Sequence, residues 1–482
     1  MHEHVERHAR TRPEAIAVRV RTPDGWADTS WRRLRDMAAG VCDHARRTLP
    51  SDEPVVLALD NSAEGIAVLL GLTAASVDVL CLESGASPDD VRRSLARRIG
   101  ARHAMGPAGG DGVLAYADVM TEAAGPLRAP RRSPEILGMT SGSTGRPRIV
   151  RQTLANIERG GRIYRDTYGY TEHDVLVGPI PMAHSFAMMG LLAGGLVSGA
   201  RIVTMPRFSV SGVHTAIDQG ATVLLGSPMI HRILGMAPRP TGKGSALRAL
   251  LSSGGPLPAD TRARAEQVFG LPVHQIYGST EAGVIACQYD REEPWREGAA
   301  GRIHPAATWR LRPAEGADAP PGAGWLRVRT ATLFAGYLGE GDPLDEDGLF
   351  DTGDLVGVEA GGDLTVLARK AAFINVGGRK VDPGRVGAVL DECDAVAEAH
   401  VFGHEEDGEE AVHAAVVLRG QHELTAHVLA FCRDRLASHE VPHRVHVLSA
   451  LPRTTLGKPD LTALKQACAL LPVDGAVDGG VR

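Results

Sequence analysis

The densest run of anion-binding chemistry in the chain is Thr140-Ser141-Gly142-Ser143-Thr144-Gly145-Arg146-Pro147-Arg148. Its hydroxyls, glycines and closing arginine can wrap a polyphosphate with backbone N–H groups, side-chain donors and a cation. The GxxxxGK[ST] spacing of the nucleoside-triphosphate P-loop occurs nowhere in the sequence. The run follows a short apolar stretch, Glu135 to Met139, and five similar tips recur. Val55 to Asp60 leads into Asn61-Ser62, and Leu176 to Pro181 into Met182-Ala183-His184-Ser185. Ala221 to Gly226 leads into Ser227-Pro228, and Leu247 to Leu251 into Ser252-Ser253-Gly254-Gly255-Pro256. Val273 to Ile276 leads into Tyr277-Gly278-Ser279-Thr280-Glu281. Gly and Ser also make ordinary turns, so one such tip says nothing. Six together predict one shared ligand site, because open α/β sheets bind ligands beyond the carboxyl ends of their strands.

The elements that must carry these tips follow from the pattern between residues 50 and 290. Short apolar runs alternate there with helical segments, which predicts a parallel sheet wrapped by helices. From Gly301 the texture changes to alternation, as in Trp325 to Thr330, preceded by the Pro/Gly loop Pro313 to Gly324. Half-exposed antiparallel strands are expected, forming a small β-barrel that closes the large domain. After Asp351 to Leu355 and the strand-like Leu364 to Arg369, the remainder carries its own pattern of two helices and several strands, a second and smaller α+β domain.

Composition narrows the class. The 482 residues, 43% hydrophobic and 23% charged, suit two to four packed domains rather than a disordered, collagen-like or coiled-coil chain. A net charge of -6 without a dense basic block argues against nucleic acid or an anionic membrane as main partner. The six cysteines are scattered without a CxxC pair, as expected of reduced, packed thiols in a cytoplasmic protein. MHEHVERHAR at the amino terminus has no apolar core, so no secretory signal is read, and the apolar Gly65 to Leu82 reads as helix then strand. The 52 basic residues include only five lysines: Lys243, Lys370, Lys380, Lys458 and Lys465. Lys380 and Lys458 fall inside motifs.

Thr140 to Arg148, taken with Tyr277 to Gly283 (YGSTEAG), Asp351 to Asp354 (DTGD), Ile374 to Pro383 (INVGGRKVDP) and Leu451 to Leu461 (LPRTTLGKPDL), resembles the adenylate-forming superfamily. That group includes acyl-CoA synthetases, adenylation domains of nonribosomal peptide synthetases and firefly-type luciferases. The five motifs stand in family order across the whole chain, with RPEAIAV and VVLALDNSAEG matching amino-terminal features. The style is closest to a stand-alone acyl- or aryl-acid CoA ligase. The resemblance implies a large domain over 1–367, a hinge over 368–372 and a mobile lid over 373–482. It implies ATP and Mg2+, with a carboxylate attacking the α-phosphorus and the acyl adenylate passing to a thiol of CoA or phosphopantetheine.

By the same resemblance, Lys458 bridges carboxylate and α-phosphate, Glu281 binds the metal, and Thr280 touches the α-phosphate. Asp354 accepts from the ribose hydroxyls with Arg369 beside it. Gly254, Gly255, Pro256, Tyr277 and Gly278 match the nucleotide slot, and Gly378 with Lys380 the thiol-side loop. His184 matches a histidine between acid pocket and thiol tunnel. Pocket walls are expected at Ser185, Met188, Met189, Ser227, Ser253 and Val284. None of His184 to Ala187 is acidic, which disfavours an α-amino acid and leaves an aryl or medium aliphatic acid.

Three departures bear on this. Arg148 stands where relatives carry lysine, Ala371 replaces the usual hinge side chain, and Pro459 follows Lys458. A carrier-protein partner stays open beside CoA because one thiol chemistry serves both, and the altered hinge keeps open an amine acceptor or nitrite activation for aryl-amine diazotisation. A catalytically inactive nucleotide-binding scaffold is the contrasting class.

Overall fold

The computed structural model describes residues 1–50, 53–84, 96–110, 112–120, 125–140, 148–237, 246–288, 298–313, 322–359, 361–369, 374–376, 379–406, 409–419, 425–437, 439–454 and 459–469. It divides into two compact units: Met1–Thr352 with Gly357–Thr365, and Gly353–Val356 with Val366–Arg482. The division runs through the strands Phe350–Val358 and Asp363–Arg369.

Two sheets organise the first unit. One has the order Leu114–Ala115, His103–Gly106, Val55–Leu59, Val79–Glu83, Glu135–Thr140, Arg148–Thr153, parallel except for the last strand. The other runs in parallel through Val273–Ser279, Ala249–Ser252, Val223–Gly226, Val175–Val177, Arg201–Thr204 and Ile16–Thr22. Each predicted apolar run thus contributes a strand to one of these parallel arrays. The strands are buried, as in Val55–Leu59, because helices cover them. The helix Ala63–Ala74 is buried at every position but Glu64, and Ser62 caps it by accepting from the Gly65 amide at 2.9 Å.

Beyond Val273–Ser279 the pairing turns antiparallel, through Gly283–Cys287 to Ala299–Ile303. Thr308–Pro313 and Ala323–Arg329 pair antiparallel, the latter alternating buried and half-buried as its sequence predicts.

Two boundaries differ from expectation. The Leu176 to Pro181 run keeps only Val175–Val177 as strand, because Pro179 and Pro181 have no N–H to give to a ladder. Tyr277 and Gly278 lie within a strand instead of beyond it, since Tyr277 pairs with Ala286 and, after a bulge, Gly278 with Val284. A Cβ at Gly278 would stand 2.0 Å from the Gly283 carbonyl oxygen, so only glycine fits that bulge.

In the second unit, Val396–Glu406 pairs antiparallel with Glu409–Leu418, which pairs in parallel with Arg444–Val447. Helices at Pro383–Asp391, Thr425–Arg433 and Leu461–Ala469 make three among the described residues, not the two expected. The third starts directly after the Lys458 motif, with Asp460 accepting from the Ala463 amide as its cap. All six cysteines are free and buried. Among the described residues no helix is long and apolar enough to cross a membrane.

Candidate active site

Thr140 and Arg148 face each other as a register pair at the ends of their antiparallel strands. The chain between them, with Ser141, Gly142, Ser143, Thr144 and Gly145, lies outside the described residues. Arg148 is fully engaged on its own side. Its Nε lies 3.0 Å from Glu340 Oε2, its Nη2 donates to the same oxygen, and its guanidinium carbon sits 3.3 Å from the centroid of the Tyr337 ring. A cation over a ring face is a contact that arginine makes more often than lysine, which gives the departure from lysine a physical use.

Thr280 and Glu281 arrive from the end of Val273–Ser279. Their backbone is fixed by Gln152, 4% exposed, whose amide donates to the Thr280 carbonyl at 2.9 Å, with the Glu281 carbonyl at 3.3 Å. The Phe334 amide also donates to the Glu281 carbonyl at 2.8 Å. Thr280 Cγ2 lies over Gly138, 3.9 Å from where a Cβ would be, so the Thr280–Glu281 pair and the Glu135–Thr140 strand are neighbours. The Glu281 carboxylate accepts from the Tyr337 hydroxyl at 3.0 Å. A half-buried, oriented carboxylate next to a hydroxyl suits a hard cation such as Mg2+, which takes oxygen donors and keeps several waters or phosphate oxygens. Among the described residues no three His, Cys, Asp or Glu side chains cluster as a metal cage.

The nucleotide-slot residues are partly accounted for. Gly254 adopts φ +96 and has nothing within 4 Å of a built Cβ, and Gly255 approaches only Pro228 at 3.9 Å. These open positions beside exposed Pro256 permit close approach of a flat ligand. Tyr277 is half-buried, and Ser253 donates to the Ile276 carbonyl at 2.9 Å, tying the two strand ends together.

His184 lies in a turn closed by its own amide to the Pro181 carbonyl and by the Met188 amide to its carbonyl. A π-helical stretch, Ala187–Ala193, follows and contains the buried Met188 and Met189. Such wide turns are frequent beside functional sites. The His184 side chain is 37% exposed, and its Nε2 is 3.5 Å from a carboxylate oxygen of Glu83. Asn61 anchors the same loop: its amide nitrogen donates to the Ile180 and Met205 carbonyls at 3.0 Å, and its oxygen accepts from the Met182 amide at 2.9 Å. Met189 packs against Gly160 and lies 3.5 Å from where a Cβ at Gly283 would be. Ser227 is buried and accepts from the Ile230 amide as a helix cap, Val284 is buried, and Ser185 and Ser253 are half-buried.

Thus Thr140, Arg148, Thr280 and Glu281 form one connected group in the first unit. Asp354 is buried in the stretch Gly353–Val356, which groups with the second unit. Arg369 ends the Asp363–Arg369 strand, and Lys380 pairs through its backbone with Asn375. Gly378, Ala371 and Lys458 lie outside the described residues. Tyr337, Glu340, Gln152, Asn61 and Glu83 were not anticipated. Only the Asn61-Ser62 strand tip gave any sequence signal for this group.

Comparison with known proteins bears on the same segments. Residues 5–338 match the AMP-binding enzyme family and residues 385–458 match the AMP-binding enzyme C-terminal domain. The indoleacetate–CoA ligase of Aromatoleum aromaticum is 29% identical over 350 residues, covering 70% of this chain and 68% of that one. A 2-succinylbenzoate–CoA ligase of Bacillus licheniformis is 32% identical over 329 residues, 66% of this chain and 67% of the relative. In structure, O-succinylbenzoate Coenzyme A synthetase (MenE) from Bacillus subtilis in complex with ATP and magnesium ion superimposes with a TM-score of 0.82 at 24% identity, covering 96% and 99% of the two chains. ATP-bound MatB from Rhodopseudomonas palustris gives 0.81 at 23%, covering 97% and 99%. These two likenesses establish the shared fold.

Proposed function

The chain belongs to the AMP-binding enzyme family, and from that premise we propose that it is an ATP-dependent, AMP-forming acid–CoA ligase acting on a non-amino aryl or medium aliphatic acid. The observation that carries the reading is the connected group at the strand ends, with the Glu281 carboxylate held by Tyr337 and the Arg148 cation at the exit of the hydroxyl-rich run. Relatives named as indoleacetate and 2-succinylbenzoate CoA ligases support an aryl acid and CoA.

The chemical obstacle is the meeting of two anions. Like unit charges about 4 Å apart repel by about 4 kcal/mol at an effective dielectric near 20, so the reacting groups need cations and donors around them. In this reading Mg2+ on Glu281 would supply charge neutralisation at the phosphates. Thr140 to Gly145 and Arg148 hold the β- and γ-phosphates, and Thr280 donates to the α-phosphate. Gly254, Gly255, Pro256, Tyr277 and Gly278 bound the adenine, while Asp354 and Arg369 take the ribose. Lys458, a compact ammonium, bridges the acid and the α-phosphate. A carboxylate oxygen bonds to the α-phosphorus as the bond to the pyrophosphate oxygen breaks. The thiol sulfur then bonds to the acyl carbon as AMP leaves.

His184, opposed by Glu83, is assigned the proton of that thiol. Ser185, Met188, Met189, Ser227, Ser253 and Val284 form the acid pocket. We assign residues 1–367 to nucleotide and acid binding, 368–372 to the hinge, and 373–482 to a lid that carries Lys458, with Gly378 and Lys380 on the thiol side. A carrier-protein phosphopantetheine is the second acceptor of the same chemistry.

The test is ATP–pyrophosphate exchange over a panel of aryl and aliphatic acids, followed by mass analysis of products with CoA. Exchange with an aryl acid and a CoA thioester are expected, and Lys458→Ala should lower exchange by at least about a hundredfold. Tight ATP binding without exchange on any acid would overturn the reading in favour of a scaffold. AMP release that depends on nitrite and an aryl amine would overturn it in favour of diazotisation.

A further inference from the structure

Tyr337 lies outside every motif that pointed to the reaction, yet it touches two of the groups assigned to it. Its segment returns to the Arg148–Thr153 strand: the Leu338 amide donates to the Ile149 carbonyl at 2.9 Å and the Ala335 amide to the Arg151 carbonyl at 2.8 Å. The ring is 5% exposed and packs edge-on against Phe334, with centroids 4.9 Å apart and planes at 77°. Phe334 packs in the same way against Phe350, at 5.2 Å. The ring therefore has little freedom to swing.

Its two ends of chemistry are both occupied. The hydroxyl donates to Glu281 Oε1 at 3.0 Å, and the face carries the Arg148 guanidinium 3.3 Å from its centroid. Glu340, three residues further on, accepts from the Arg148 Nε at 3.0 Å and so holds the guanidinium over the ring. One rigid side chain thus fixes the spacing between a carboxylate and a cation that approach from different strands.

We propose that Tyr337 is a positioning residue: its hydroxyl aims the Glu281 carboxylate at Mg2+ while its ring face seats Arg148 against the triphosphate, so that metal and phosphates are gripped as one unit. The inference rests on the reading of Glu281 as the metal carboxylate. It concerns two separable interactions, which Tyr337→Phe and Tyr337→Leu divide. The phenylalanine keeps the ring under Arg148 and removes the hydrogen bond to Glu281; the leucine removes both.

The experiment is calorimetric titration of the full chain with ATP, with and without Mg2+, with melting curves to verify the fold. For Tyr337→Phe, the strengthening of ATP binding by Mg2+ should fall about tenfold, as for other groups that orient a metal ligand, while metal-free ATP affinity stays within twofold. For Tyr337→Leu, metal-free ATP affinity should fall as well, by severalfold. An unchanged Mg2+ dependence in a folded Tyr337→Phe overturns the proposal, and so does an equal loss with and without metal. Glu281→Gln separates the two levels. If it abolishes the Mg2+ effect and Tyr337→Phe does not, only the role of Tyr337 fails. If Glu281→Gln leaves the Mg2+ effect intact, the metal reading itself fails.

Discussion

The amino-terminal helix and the loop at His184 use the same side chain in opposite ways. In the helix His2–Thr11, His2 Nε2 donates to the Leu70 carbonyl at 3.0 Å. His8 Nε2 donates to the Leu196 carbonyl at 3.1 Å, its Nδ1 accepts from Arg12 at 3.2 Å, and its ring lies 4.6 Å from Trp31. One ring nitrogen giving to a carbonyl and the other taking from a guanidinium require a neutral imidazole. Burial pushes both rings down to about 4 from the ordinary 6.5. His184 is 37% exposed and has a carboxylate 3.5 Å from Nε2. The difference teaches that the partners, not the residue type, set what a histidine does: backbone carbonyls lock the buried rings of His2 and His8, whereas His184 faces a carboxylate at a strand end.

That contrast can be broken in four ways. The largest expected effect is on His184→Ala, which should lower CoA-thioester formation about a hundredfold with the melting temperature held within about 2 °C. A normal rate would return His184 to the packing class. Glu83→Gln should cost thioester formation about tenfold, the lower end of what a contact to a charged group is worth, and leave pyrophosphate exchange within twofold. Equal losses in both half-reactions would show that Glu83 merely supports the fold. His8→Ala should do the reverse, destabilising by about 1–2 kcal/mol in denaturant titration because the Leu196 carbonyl is left unpaired, with KM and kcat unaltered.

The smallest effect is on pH. The unfolded chain protonates its histidines near 6.5 while His2 and His8 hold out to about 4, so in that window the unfolded state binds more protons. Their contribution is complete above pH 6.5 and is lost as pH falls toward 4. Lowering the pH from 7 to 6 should cost about 0.7 kcal/mol for each ring, read from melts in matched buffers, and His8→Gln should flatten the slope. A slope unchanged by that substitution would mean that the ring is not the group titrating.

Much of this was legible in the chain because it is local. An apolar run followed by Ser, Gly or Thr names both a strand and its tip, and the parallel sheets deliver those tips to their carboxyl ends. The limits of the strands were less legible, since proline stopped one ladder early and a bulge carried another through Tyr277 and Gly278. The supporting polar residues were least legible of all. Tyr337 meets Glu281 across 56 residues and Gln152 meets Thr280 across 128. Neither periodicity nor spacing marks such a residue. MHEHVERHAR carries no apolar core, yet the fold turns all three of its histidines inward, and nothing in their spacing marks it.

Asn61 has a practical corollary for redesign. Its amide reads two backbone carbonyls and one backbone amide, at Ile180, Met205 and Met182, and no side chain of the loop it anchors. An insert that changes only the side chains at 183–185 therefore keeps these three bonds, provided position 61 stays asparagine, whereas Met188 and Met189 are buried and Met189 packs against Gly160. An Asn61→Asp host would repel both carbonyls and reject the same insert.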